Sequence, residues 1–165
     1  GGSRLQTDSM LIGHTVPVNA RPSYSSSPTL RVVLGPQADY FRDEALDTLG
    51  RAPYVVSPQA DRMGYRLQGP SLTHVGTPDI VSDATPPGAL QVPADRQPIL
   101  LMADRQTTGG YPKIGIVITV DLPLAAQLMP GDTITFSLIE TRDAQQLARI
   151  QRTVLDMALP PWPRD

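Results

Sequence analysis

The densest set of chemically able side chains lies in one short stretch, Ala103-Asp-Arg-Gln-Thr-Thr-Gly-Gly-Tyr-Pro-Lys113. It gathers a carboxylate (Asp104), a guanidinium (Arg105), an amide (Gln106), two hydroxyls (Thr107, Thr108), a phenol (Tyr111) and an ammonium (Lys113). Gly109 and Gly110 let a ligand approach the backbone and expose its N–H groups. A loop of this make-up can hold a carboxylate, a carbamate or a phosphate through Arg and Lys charge and backbone donors. The plainer account is a solvated hairpin loop, although loops on a rigid scaffold carry sites more often than their share. It is not a phosphate-binding P-loop, because the Gly-x4-Gly-Lys-Ser/Thr order is missing.

A second stretch is Asp61-Arg-Met-Gly-Tyr-Arg-Leu67. As a strand it would carry Arg62, Gly64 and Arg66 on one face and Met63, Tyr65 and Leu67 on the other. Two guanidinium groups on one side can clamp an anion; pairing with nearby carboxylates on an exposed face is the ordinary alternative. A third is Gly35-Pro-Gln37, a tight strand-to-helix turn, where a helix N-terminus attracts anions or the residues simply stop a strand. Neither histidine, His14 or His74, has a spacing that marks a Ser-His-Asp set, and His74 is expected at the surface of a loop. Fourteen aspartates give no reason to single out one carboxylate pair.

Composition narrows the chemistry further. The 165 residues suit one domain, or one domain with an extension. No cysteine is present, which excludes a disulfide scaffold, a thiolate nucleophile and cysteine-ligated zinc or iron–sulfur. Two histidines are too few for a multi-histidine metal site, so no metal is expected. With a net charge of -2, a pI near 5.6 and no run of Lys or Arg, nucleic acid is not an expected partner. The longest apolar runs, Ile99 to Ala103 and Ile114 to Val120, fall far short of the roughly 20 residues that cross a membrane. No secretory signal is seen, so the expected location is cytoplasmic. The chain opens Gly1-Gly2-Ser3 without an initiator Met and reads as a piece of a longer protein. The 13 arginines against a single lysine, Lys113, fit a genomic base-composition bias better than a function.

The elements that must hold these stretches follow from periodicity and breakers. Residues 1–28 read as an N-terminal extension or linker with a short strand near Met10 to Ile12. Strands are expected at 30–34, 54–57, 62–67, 89–92, 98–103, 113–120 and 133–139. Phe41, Ala45, Leu46 and Leu49 recur at helical spacing ahead of Gly50, a stop signal. A short helix is expected over 121–128. A longer one runs from about Arg142 to Ala158, with Thr141 as its N-cap and Leu147, Ile150, Val154, Leu155 and Ala158 on one face. Eighteen prolines keep the strands short and the turns frequent, and residues 159–165 form a Pro-rich tail. The fold class is therefore mainly β, a barrel or sandwich with two or three flanking helices, its compact domain spanning 29–158.

Taken together, Gly35-Pro-Gln37, Asp61-Arg-Met-Gly-Tyr-Arg-Leu67-x-Gly69-Pro70, Gln91-Val-Pro93, Pro98-Ile99 and Asp104 to Lys113 occur in an order that resembles one family. It is the biotin-dependent carboxyltransferase family, which includes allophanate hydrolase subunit 2 and the C subunit of bacterial 5-oxoprolinase. The chain also resembles part of the carboxyltransferase domain of urea carboxylase. The likeness runs from about residue 4 to 158, and its Thr-Thr-Gly-Gly-Tyr-Pro-Lys string is specific. Family members are nearly twice as long, so this chain resembles their C-terminal half. They usually carry Gly where Arg96 stands, which alters a turn.

The resemblance implies a cyclophilin-like β-barrel. It implies the C-terminal half of one polypeptide in a multi-subunit, ATP-dependent enzyme that processes an amide or lactam. That enzyme would be a hydrolase of the 5-oxoprolinase type or a carboxyltransferase of the urea carboxylase type. The fragment alone would be inactive. The expected partners are the family's subunit 1 (the B subunit of 5-oxoprolinase), the missing N-terminal half and a small amide or lactam substrate. No tightly bound cofactor is expected; carboxybiotin on a partner domain, or ATP, would serve the full complex. In the implied chemistry Arg62, Arg105 and Lys113 stabilise an oxyanion, and Asp104 orients a basic group. Tyr65 and Tyr111 meet a flat ring, and Gln91, Gln106, Thr107 and Thr108, with the Gly109-Gly110 backbone, read amide donors and acceptors. The alternative is a non-catalytic regulatory partner that binds and antagonises a kinase-inhibitor protein.

Overall fold

The computed structural model describes Val18 and residues 21–158. The strand expected near Met10 to Ile12, most of the N-terminal extension and the Pro-rich tail lie outside the described residues. Within them the chain forms β1 (Thr29–Leu34), α1 (Asp43–Arg51), β2 (Tyr54–Val56), β3 (Gly64–Gln68), β4 (Asp83–Ala84), β5 (Ala89–Gln91) and β6 (Ile99–Leu101). Then come β7 (Thr108–Gly109), β8 (Lys113–Val117), α2 (Leu122–Ala125), β9 (Thr133–Leu138) and α3 (Thr141–Ala158). Single 3₁₀ turns occupy Ala38–Tyr40 and Thr119–Asp121.

Seven strands close into a barrel in the order β1-β8-β5-β6-β3-β2-β9. All neighbours are antiparallel except β1 and β9, whose parallel pairing (Leu30 beside Phe136) shuts the seam. β4 and β7 form a separate two-stranded ribbon. The fold is thus mainly β, a closed barrel with three helices, in agreement with the strand count and the family likeness. Alternation explains why it fills: Leu30 and Val32, Tyr54 and Val56, and Ile134 and Phe136 are all buried at period two, together with Leu67, Leu90, Leu100 and Ile114. Six residues of β1 and six of β9 alternate in and out, whereas all three of β5 are buried between β6, β8 and the chain that covers them.

Several expected boundaries move. The helix of Phe41 to Leu49 does not stop at Gly50; it runs to Arg51 and ends because Ala52 precedes Pro53 and is extended. Its first turn carries Asp43 and Glu44 and its last carries Arg51, each at the end of the helix dipole that favours its charge. The long apolar run after Lys113 leaves the sheet at Val117. There the Asp121 carboxylate, 1% exposed, accepts the Arg31 backbone N–H at 2.7 Å and its Nε at 2.9 Å, and it drags the chain into a 3₁₀ turn. Helix α3 begins at Thr141 itself; the preceding carbonyl, of Glu140, takes the N–H groups of Asp143 and Ala144. Its apolar stripe is covered only at the start: Leu147 is half-buried, whereas Ile150, Val154 and Leu155 stay exposed. His74 is half-buried rather than surface, stacked 4.8 Å from the Phe41 ring, with Nε2 3.0 Å from the Val92 carbonyl oxygen.

Candidate functional site

The two chemically rich stretches meet. The barrel supplies one wall of a cleft of about 230 Å³ through β3, β6 and Gln91 of β5. The ribbon and the loop before it supply the other wall through Thr85, Arg105, Gln106 and Thr108. Gly64, Ile99 and Leu101 make a largely apolar floor, and Gln59, Asp61, Met63 and Arg66 ring one side.

The strand parity expected for 62–67 holds only from Gly64, where the strand begins; Met63, expected on the opposite face, lines the cleft, and Arg62 does not. Gly64 and Arg66 face the cleft, while Leu67 is buried and Tyr65 is half-buried against the core, where burial raises its phenol pKa. Tyr65 therefore sits on the opposite face of β3 from the cleft. Arg62 precedes the strand. Its guanidinium is held by Asp104 (Nε to Oδ2, 3.0 Å) at an exposed rim, and neither residue lines the cleft. Asp61 turns inward on its own backbone: its Oδ1 accepts the N–H groups of Met63 at 2.8 Å and Gly64 at 3.1 Å.

Arg105 is built into the wall. Nε donates to the Thr85 carbonyl at 2.6 Å, and Nη1 donates to the carbonyls of Ala103 at 3.2 Å and Met102 at 3.5 Å. Such bonds fix a planar guanidinium without neutralising it. Gln91 is 7% exposed, and its Nε2 donates to the Tyr111 carbonyl at 3.3 Å. Among the described residues every fully buried side-chain nitrogen and oxygen has a partner. Arg105 Nη2 and Gln91 Oε1 have none and are therefore not fully buried, and both residues line the cleft.

The ribbon holds the rest of the Thr-Thr-Gly-Gly-Tyr string. Ala84 pairs with Thr108 and Asp83 with Gly109. The Thr85 N–H donates to Thr107, its hydroxyl donates to the Gln106 carbonyl, and the Ile80 N–H donates to Gly110. Thr107, Gly110 and Tyr111 therefore contribute backbone here, and Tyr111 keeps an exposed ring. At Gly109 a Cβ would come 2.5 Å from Gln91 Nε2 and 3.2 Å from Thr85 Cγ2, so a side chain there would displace the Gln91 amide.

Lys113 is elsewhere. Its side chain is 1% exposed, and Nζ lies 2.8 Å from Asp83 Oδ2, behind the ribbon rather than in the cleft. Gln37 completes the knot: its Nε2 donates to Asp83 Oδ2 at 3.2 Å, and its Oε1 accepts the Lys113 backbone N–H at 3.2 Å. The Lys113 ammonium, the Ala84 N–H and the Gln37 amide hold the Asp83 carboxyl below its usual pKa. The β5–β8 register slips between Leu90 and Gln91, so Gln91 faces Lys113 across the ladder and the knot adjoins the cleft. Thr85 and Gln59 line the cleft and Asp83 anchors the knot beside it, although none of the three stands out in the sequence. Asp83 and Thr85 fall in a stretch that reads as loop, and their only signal is the long-range ribbon pairing. Among the described residues no group of three or more His, Asp or Glu could hold a metal, and no helix is long and apolar enough to cross a membrane.

Comparison with known proteins agrees with this architecture. Residues 3–138 match the family model described as carboxyltransferase domain, subdomain A and B. The C subunit of 5-oxoprolinase from Escherichia coli (strain K12) is 42% identical over 120 residues, covering 71% of this chain and 39% of that protein. That of Haemophilus influenzae is 41% identical over 123 residues, covering 73% and 40%. The crystal structure of the K. lactis urea amidolyase superposes with a TM-score of 0.81 at 24% identity, over 88% of this chain and 10% of that one, a likeness of fold. The chain spans about two fifths of the length of the curated relatives it matches. With four fifths of its residues inside that model, and with its barrel and its Thr-Thr-Gly-Gly-Tyr-Pro-Lys ribbon in place, the chain belongs to the carboxyltransferase domain A and B family.

Proposed function

We propose that the chain is part of the C subunit of an ATP-dependent 5-oxoprolinase, and that the cleft between barrel and ribbon forms part of its substrate site. The observation that carries this reading is the convergence of Arg66, Gln91, Arg105, Gln106 and Thr108 on one small cleft with an apolar floor. Identity near 42% to 5-oxoprolinase C subunits favours this reading over urea carboxylation, for which the likeness is weaker.

A lactam resists hydrolysis because its nitrogen donates into the carbonyl. Ring opening adds water at the carbonyl carbon and breaks the C–N bond. The ring nitrogen takes a proton and leaves as an amine, and ATP hydrolysis in the full complex drives the reaction. The part of this chain is to bind and polarise. Arg105 presents a fixed N–H edge at which negative charge on oxygen is stabilised. Gln91 Oε1 accepts from the ring N–H, and the floor of Ile99 and Leu101 takes the methylenes. Lys113 and Asp83 act as positioning residues that hold the ribbon wall.

The test uses the full-length protein purified with its partner subunits. ATP hydrolysis that depends on 5-oxoproline and yields glutamate is the expected result. Bicarbonate-dependent turnover of urea, in the presence of a biotin carboxylase, would replace this reading with the carboxyltransferase one. Silence in both assays would overturn both and leave a regulatory, non-catalytic protein.

A further inference from the structure

The cleft carries more positive charge than a neutral amide needs. Two arginines line it against one carboxylate, in a chain whose net charge is -2. That carboxylate, Asp61, already commits one oxygen to two backbone N–H groups. The arginines differ in kind. Arg105 is immobilised by three carbonyls and keeps its Nη2 edge free. Arg66, on β3 of the opposite wall, is exposed and has no hydrogen-bond or ion-pair partner among the described residues. Its neighbour Arg62 is held by Asp104, and the two carboxylates that share a hollow with Arg66, Asp61 and Asp95, make no ion pair with it. A fixed guanidinium and a free one lining the same small cleft can together accept a planar carboxylate.

We infer that Arg66 and Arg105 form a carboxylate subsite, so that the cleft selects a small ring amide bearing a carboxylate over the same ring without one. This rests on the proposed function and deepens it. The amide end of such a ligand meets Gln91, and its carboxylate meets the two arginines. The volume enclosed within this chain, about 230 Å³, suits one small ring. Arg66 is the specificity-determining member. Nothing in the fold leans on it, whereas Arg105 also braces three carbonyls.

The test is calorimetric binding of 5-oxoproline and of 2-pyrrolidinone, its analogue without the carboxylate, to the full-length protein with its partners. The wild type is expected to prefer 5-oxoproline by about 30-fold or more. Arg66→Gln should lower that preference at least about tenfold by weakening 5-oxoproline alone, with 2-pyrrolidinone binding unchanged. Arg66→Lys should restore part of it, because an ammonium keeps the charge and loses the planar fork. Equal binding of both rings by the wild type, no binding of either, or an equal loss of both in Arg66→Gln would overturn the subsite. Turnover is read separately. A complex that binds 5-oxoproline in this Arg66-dependent way and does not open it would overturn the lactamase reading while leaving the subsite standing.

Discussion

Lys113 is the residue where chemistry and position part company. Its type and its place beside two glycines suit an oxyanion, yet its ammonium is buried against Asp83. Breaking such a pair from one side is worse than removing it, because an unpartnered buried charge costs more than an apolar replacement. Lys113→Met is therefore expected to melt within a few degrees of the wild type, and Asp83→Asn clearly lower, both read by thermal unfolding at pH 7. The Asp83 carboxyl titrates below its ordinary value in the folded protein, so its contribution is complete above about pH 4 and is lost as acid takes the pH through the folded pKa. The gap between wild type and Asp83→Asn should close over that acid range. Equal melting of Asp83→Asn and wild type at pH 7 would show that the pair does not hold the ribbon. From sequence, the loop of 103–113 and the strand of 62–67 are legible as chemistry because their polar residues crowd together. Which of them face one another is not. That depends on the pairing of Asp83 and Ala84 with Gly109 and Thr108, between segments with no local strand signal.

At the scale of elements, the turn joining β5 to β6 holds the one non-glycine residue with positive φ among the described residues, Arg96 at 61°. It is the position at which the family likeness leads one to expect glycine. The Arg96 N–H closes the turn on the Pro93 carbonyl, and its own carbonyl receives the Leu72 N–H, so the surroundings impose the conformation. A side chain in the left-handed region costs about 1–2 kcal/mol, and glycine returns roughly 0.5–1 kcal/mol of that as unfolded-state entropy. Arg96→Gly should stabilise by about 0.5 kcal/mol, a rise of roughly 1–2 °C in Tm. A lower Tm would mean that the arginine side chain makes a contact worth more than the strain. The barrel strands themselves are readable, since alternation survives in β1 and β9, and continuous apolar runs mark β6 and β8. Their ends are not. Asp121 ends β8 by a carboxylate bond to Arg31, ninety residues away, which no window of local sequence contains.

For the whole molecule, stability resides in the barrel and little of it in α3. Leu100 is fully buried at the barrel's centre and Ile150 half-exposed on the helix. Leu100→Ala is expected to cost about 3 kcal/mol and Ile150→Ala less than about 0.5 kcal/mol, measured by denaturant unfolding. Comparable losses at the two sites would show that the helix packs on the barrel in solution. The amphipathic pattern of 142–158 correctly announces a helix; it does not reveal that most of its apolar stripe, from Ile150 to Leu155, stays exposed among the described residues. The seam has a consequence for how the chain comes into being. Thr29 bonds Thr135 across 106 residues, and β1 finds both of its neighbours, β8 and β9, only near the end of the compact part. A ribosome adding about 5–20 residues per second leaves β1 without a partner for on the order of ten seconds. During that interval Leu30 and Val32 lie on an open strand edge, the kind of template on which other chains aggregate. Any nascent chain that stalls or is cut before β9 keeps that side of β1 open, so such a fragment offers other chains a strand edge that the closed barrel hides.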